Sequence, residues 1–118
     1  MSERSTRFII SLLTLFTAAV HGIVLNMQMG HLDPLFTLNG LGYLALLVAL
    51  LYRFPANRQV LLHYAFMGFA LTTILAWVAI GERTTLGYTT KLVEVLLVIF
   101  LYLNLGRLRG GRKSELIF

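Results

Sequence analysis

The chain has no cysteine, which removes disulfides, thiolate metal sites, iron–sulfur clusters and thiol redox catalysis in one step. It is also poor in charge. Only 13% of its 118 residues are Asp, Glu, Lys or Arg, where a soluble domain carries about 25%. No phosphate-binding loop, nucleophile elbow or zinc-protease helix is present. Gly40 and Gly42 stand in Asn39-Gly-Leu-Gly-Tyr43 without a preceding strand, so they match no nucleotide fingerprint and read as points of close helix approach. Little sequence is left over for a soluble catalytic domain.

What the chain has instead is four long apolar runs, at residues 8–29, 35–52, 60–80 and 86–105, within a composition that is 58% hydrophobic. Each run has the length a helix needs to cross a hydrocarbon core of about 30 Å. In lipid a segment must satisfy its own backbone polar groups, so such runs are helices. The connections are short, which makes sequential helices antiparallel. The expectation is an all-α protein, a transmembrane up-down-up-down four-helix bundle forming a single domain over 1–118, with 106–118 as a basic cytoplasmic tail. The first run is too long for a signal peptide and reads as a retained anchor.

Local signals place the helix ends. Asp33-Pro34 opens the second run with a cap and a proline in the first turn. Asn57 is the candidate cap for the third run, and Thr84 or Thr85 for the fourth. Arg53-Phe54-Pro55-Ala56-Asn57 and Gly81-Glu82-Arg83 read as turns. Tyr52, Tyr64 and Tyr102 fall near one interface, and Trp77 and Tyr88 near the other.

The net charge of +5 is unevenly spread. Arg4, Arg7, Arg53, Arg58, Arg107, Arg109, Arg112 and Lys113 all lie on the side of the two tails, so that side is assigned to the cytoplasm. The basic tail reads as a topology and lipid signal rather than a nucleic-acid site. The localisation implied is a prokaryotic plasma membrane with both termini cytoplasmic.

Polar residues inside the runs are the candidates for function, because such groups are costly at membrane depth and turn inwards. With each run's flanking arginine as zero, His21, Asn39 and Thr72 lie 14 residues deep and Glu94 lies 13 deep. At 1.5 Å per residue all four sit about 20 Å from that end, in one layer. Lys91 is one turn further out. Ser11, Thr14, Thr17, His21 and Gln28 share a stripe, as do Ala65, Gly68, Thr72 and Ala76; Asn39 shares a face with Gly42 and Tyr43, and Tyr88, Lys91 and Glu94 form another. The candidate binding or proton-handling residues are therefore His21, Asn39, Tyr43, Thr72, Lys91 and Glu94. The alternative is that the layer is interhelical hydrogen-bond glue, with Lys91–Glu94 a neutralised i, i+3 pair. No cofactor or metal is expected. His63 lies about 13 Å from the depth of His21, too far for a haem pair, and His31 with Asp33 is too few ligands for a metal.

His21, the Asn39-Gly40-Leu41-Gly42-Tyr43-Leu44-Ala45-Leu46-Leu47 stretch and the Tyr52-Arg53-Phe54-Pro55 turn resemble small four-span prokaryotic integral membrane proteins whose function is not established. The resemblance covers the first half of the chain, implies the same four-helix architecture and implies no activity. The expected role is a non-enzymatic accessory or interaction subunit, with the lipid bilayer and other membrane subunits or itself as partners and no nucleic acid. A small oligomeric transporter or proton-coupled carrier using His21, Asn39 and Glu94 is the first alternative. A membrane enzyme or quinone-site protein is the second.

Overall fold

The computed structural model describes residues 3–30, 33–53, 56–81 and 83–111. His31, Phe54, Pro55, Glu82 and the tail at 112–118 lie outside the described residues. Every described segment is helix or short connection, with no strand among them. Helix α1 (Glu3–Ala19) continues through a π-turn (Val20–Val24) into α2 (Leu25–Met29) as one long rod. Helices α3 (Pro34–Leu51), α4 (Gln59–Ile80) and α5 (Thr85–Gly111) complete a compact bundle of four long helices. The four stretches Glu3–Gln28, Pro34–Leu51, Gln59–Ala79 and Thr85–Leu108 are long and apolar enough to cross a membrane.

The caps explain the helix boundaries. Asp33 accepts hydrogen bonds from the amides of Leu35 and Phe36, as a capping aspartate does. Thr84 Oγ1 accepts from Gly87 N and starts α5. Asn57 does not cap α4. It lies in a 3-10 turn (Ala56–Arg58), and the capping position falls to Arg58, whose side chain makes no cap bond. Gly30 ends α2 in the left-handed region at φ 77°, where a glycine carries no steric penalty. Helix α5 runs six residues past Leu105, to Gly111.

The bundle core holds Ile10, Ala18, Tyr43, Leu47, Leu50, Phe66, Ala70, Leu97 and Leu101. Around it, Phe8, Leu12, Leu38, Leu75, Leu92 and Leu103 point outwards, so the exterior is apolar as well as the interior. The first rod and α3 approach backbone to backbone at Gly40. A Cβ on Gly40 would stand 2.9 Å from the Ala18 carbonyl oxygen and 3.0 Å from Gly22 N, so only glycine fits there.

Candidate functional site

Two of the bundle's clusters of polar side chains form layers. The middle layer centres on Glu94, which is 0% exposed. One of its carboxylate oxygens takes the Lys91 ammonium at 2.7 Å, one turn earlier on α5. The other accepts the Thr17 hydroxyl from α1 at 2.6 Å. His21 stands beside them on the π-turn. Its Nδ1 lies 2.9 Å from the Thr17 carbonyl oxygen, so that nitrogen carries the hydrogen and donates it. Its Nε2 then faces Glu94 Oε2 at 4.0 Å, beyond hydrogen-bond reach.

Helix α3 supplies the rest of this layer. Asn39 Nδ2 donates to Thr73 Oγ1 on α4 at 2.8 Å. Tyr43 is fully buried, packs edge-on against Phe69, and turns its hydroxyl towards Thr73, Glu94 and Thr17. Neither the Tyr43 hydroxyl nor Asn39 Oδ1 has a hydrogen bond of good geometry among the described residues. Thr72 stands elsewhere. It is exposed, and its hydroxyl returns to the Gly68 carbonyl on its own helix. The residue that meets Asn39 is its neighbour Thr73. Tyr88 is likewise exposed, apart from Lys91 and Glu94, and packs against Trp77, over which Arg83 lies.

The π-turn sets which residue next faces inwards after His21. Five residues complete that turn, so the inward stripe steps from His21 to Asn26 rather than to Leu25. Asn26 is buried, while Gln28 is exposed. The Asn26 amide donates to the Gly22 carbonyl and to Thr37 Oγ1, and its oxygen accepts from Asp33 N. It clips the end of the first rod to the start of α3. Sequence stripes drawn at a constant 3.6 residues per turn pass over it.

The end layer has no counterpart among the stripes read from the sequence. It is built around His63 and Asn104, both nearly inaccessible. His63 Nδ1 faces the Gln59 carbonyl at 2.7 Å and so carries its hydrogen, and Nε2 accepts from Asn104 Nδ2 at 2.8 Å. Asn104 Oδ1 and Thr6 Oγ1 share the Arg107 guanidinium, at 3.4 and 3.2 Å. Arg7 donates to the Leu50 carbonyl at the end of α3. Glu3 Oε2 lies 3.2 Å from Arg53 and 3.6 Å from Arg7. Equal counts from the helix ends were the available signal, but arginines used as the zero of depth hid the polar partners beside them.

Chemically, the middle layer holds one buried acid, one ammonium, one imidazole and hydroxyls. No group of three metal-ligating side chains converges among the described residues. No protein-family model matches the chain, and no curated protein or solved structure does either.

Proposed function

We propose that this protein is a non-enzymatic integral membrane component, an accessory or interaction subunit whose polar interior is a structural lock. The observation that carries the reading is Glu94. Both its oxygens are spent inside the bundle, on Lys91 and Thr17, and the group has no exposure through which to serve a passing substrate. A locked interior leaves the outer surface for interaction. Helix α4 turns Ala65, Gly68, Thr72 and Ala76 outwards, the residue sizes that let a further helix approach closely in lipid.

Several features support the membrane setting. The exterior is apolar, and the long axis of 50 Å exceeds the 40–45 Å of a bilayer with its headgroups. Contacts of Glu3 with Arg53, Arg7 with Leu50, Asn104 with His63 and Arg107 with Thr6 gather alternate helix ends, as an up-down-up-down transmembrane bundle requires. The arginine bias supports assigning that end to the cytoplasm. Because the chain lacks cysteine, Ser5→Cys and Arg83→Cys are clean reporters. Impermeant thiol reagent on intact cells is expected to label position 83 and spare position 5; the reverse pattern overturns the orientation.

For the role itself, a photo-crosslinking residue at Gly68 is the direct test, since Gly68 is exposed and a Cβ there meets no atom within 4 Å. Cross-linking in membranes to one discrete membrane protein, or to a second copy, is the expected result. A second reading, a small proton-coupled carrier, is favoured by the unbonded Tyr43 hydroxyl and Asn39 oxygen beside Glu94. Proton flux in proteoliposomes, lost in Glu94→Gln while the bundle stays folded, would replace the lock with the carrier.

A further inference from the structure

Glu3, Arg53, Asn104, Arg107 and Leu108 line an open cleft of about 220 Å³ at the end layer. The volume is several times the roughly 30 Å³ share of one water, enough for a small oxyanion with some of its hydration. Three guanidiniums crowd this end. Arg53 and Arg107 line the cleft, and Arg7 stands behind Glu3. Among the described residues one carboxylate, that of Glu3, stands against them. Arg53 is 51% exposed and Glu3 43%, so their pair is accessible and easily opened. Asn104 and Arg107, by contrast, are fixed from behind by His63 and Thr6. Half of the cleft is therefore rigid, and half can move.

We propose that this cleft binds a phosphate oxyanion, with the Glu3 carboxylate as its internal stand-in. Guanidinium forks match phosphate oxygens two at a time, and the amide of Asn104 marks the floor. On binding, Glu3 gives up Arg53 and swings towards solvent, and the phosphate takes its place between Arg53 and Arg107. Two sources carry this chemistry, an anionic lipid headgroup and free phosphate. The lipid source rests on the reading of the chain as a membrane protein.

The experiment uses the full chain in nanodiscs of mixed phosphatidylglycerol and phosphatidylcholine, with retained lipid counted by native mass spectrometry. Preferential retention of phosphatidylglycerol is expected. Arg53→Gln should lower it about fivefold, the weight of one basic residue facing an anionic surface. Glu3→Gln should raise it, because the competing charge is gone. Arg4→Gln is the control: Arg4 is exposed at the same helix end and does not line the cleft, so its removal should change retention by less than Arg53→Gln does. Inorganic phosphate then separates the sources. Displacement of the lipid by millimolar phosphate assigns the cleft to free phosphate, and retention in its presence assigns it to the headgroup. Equal effects of Arg4→Gln and Arg53→Gln would overturn the proposal, because attraction would then belong to the surface. Lower retention in Glu3→Gln would overturn it too. Failure to enter nanodiscs at all would instead count against the membrane reading.

Discussion

The two polar layers use the same parts at different depths. Each draws a threonine from α1 (Thr17 or Thr6), a histidine whose Nδ1 is tied to the carbonyl four residues back (His21 or His63), and a polar residue of α5 with a cation three residues away (Glu94 with Lys91, Asn104 with Arg107). The chemistry diverges where water does. The middle layer contains one negative and one positive side chain, held 2.7 Å apart and closed off. The end layer hydrogen-bonds through a neutral amide and carries surplus arginine beside an open cleft. Depth sets how strictly charge must be balanced, because an unpaired charge is costly only where solvent cannot reach it.

The strongest way to break this comparison is to unbalance the middle layer. Glu94→Leu leaves the Lys91 ammonium buried without its partner and Thr17 without its acceptor. A loss of about 3–5 kcal/mol is expected, as for removing one member of a buried pair. Unfolding in detergent measures it. Adding Lys91→Met to Glu94→Leu should recover much of the loss, because both charges are then gone. If the double variant is no more stable than Glu94→Leu, Lys91 reaches water by its flexible stem and the layer is not closed.

A second intervention wedges the same layer open without touching its charges. Gly40→Ala would put a methyl against the Ala18 carbonyl and the Gly22 backbone, next to the turn that carries His21. Backbone cannot move aside as a side chain does, so a loss of roughly 1–3 kcal/mol is expected, the usual cost of overpacking. Gly68→Ala is the matched control on the outer face of α4, where the new methyl meets nothing. There the higher helix propensity of alanine should leave stability unchanged or slightly raised. Thermal unfolding of the pair side by side checks both. Equal destabilisation would mean that another chain already covers Gly68.

How much of this was legible in the sequence depended on the kind of inference. Run length alone located the four helices, because lipid-length apolar segments have one backbone solution. Asp33-Pro34 announced its cap through side-chain chemistry that needs no tertiary context. Counting from the arginines put His21, Asn39, Thr72 and Glu94 at one depth; in the structure His21 stands beside Glu94, and Asn39 bonds Thr73 rather than Thr72. Rotation was harder to read. Thr72 and Thr73 differ by one residue, which is about 100° around a helix, and only packing against Asn39 distinguishes them. The π-turn at Val20–Val24 has no mark in the residue types, so the stripe extended to Gln28 instead of Asn26. The small residues of α4 were readable as one stripe, but not the fact that the bundle itself leaves that stripe outside.

The end layer should respond more weakly to the loss of its central group. Asn104→Leu removes the donor to His63 Nε2 and one acceptor of Arg107. In the middle layer such a deletion would strand a buried group, but the adjoining cleft lets water take over part of the role. A loss of about 1 kcal/mol is expected, near the net worth of one hydrogen bond. Chemical denaturation in the same detergent gives the comparison. A loss matching Glu94→Leu would show that the cleft is dry at its floor and that depth is not what separates the layers.

The smallest effect is expected at the rim. Glu3→Gln removes the one carboxylate among the described residues that meets Arg7 and Arg53, while leaving the hydrogen-bonded floor of Asn104 and His63 in place. It breaks two pairs, a half-exposed one with Arg53 and a longer one with the less exposed Arg7, and exposed pairs such as the first are worth between 0 and about 1 kcal/mol. Arg53 and Arg107 then repel one another across the open cleft. That repulsion should be visible at low salt and fade as the screening length shortens from about 30 Å at 0.01 M to about 8 Å at 0.15 M. Melting temperatures of wild type and Glu3→Gln at the two salt concentrations test this. A stability loss that persists at 0.15 M salt would place Glu3 inside the balanced interior with Glu94, and the division between a sealed middle and an open end would have to be redrawn.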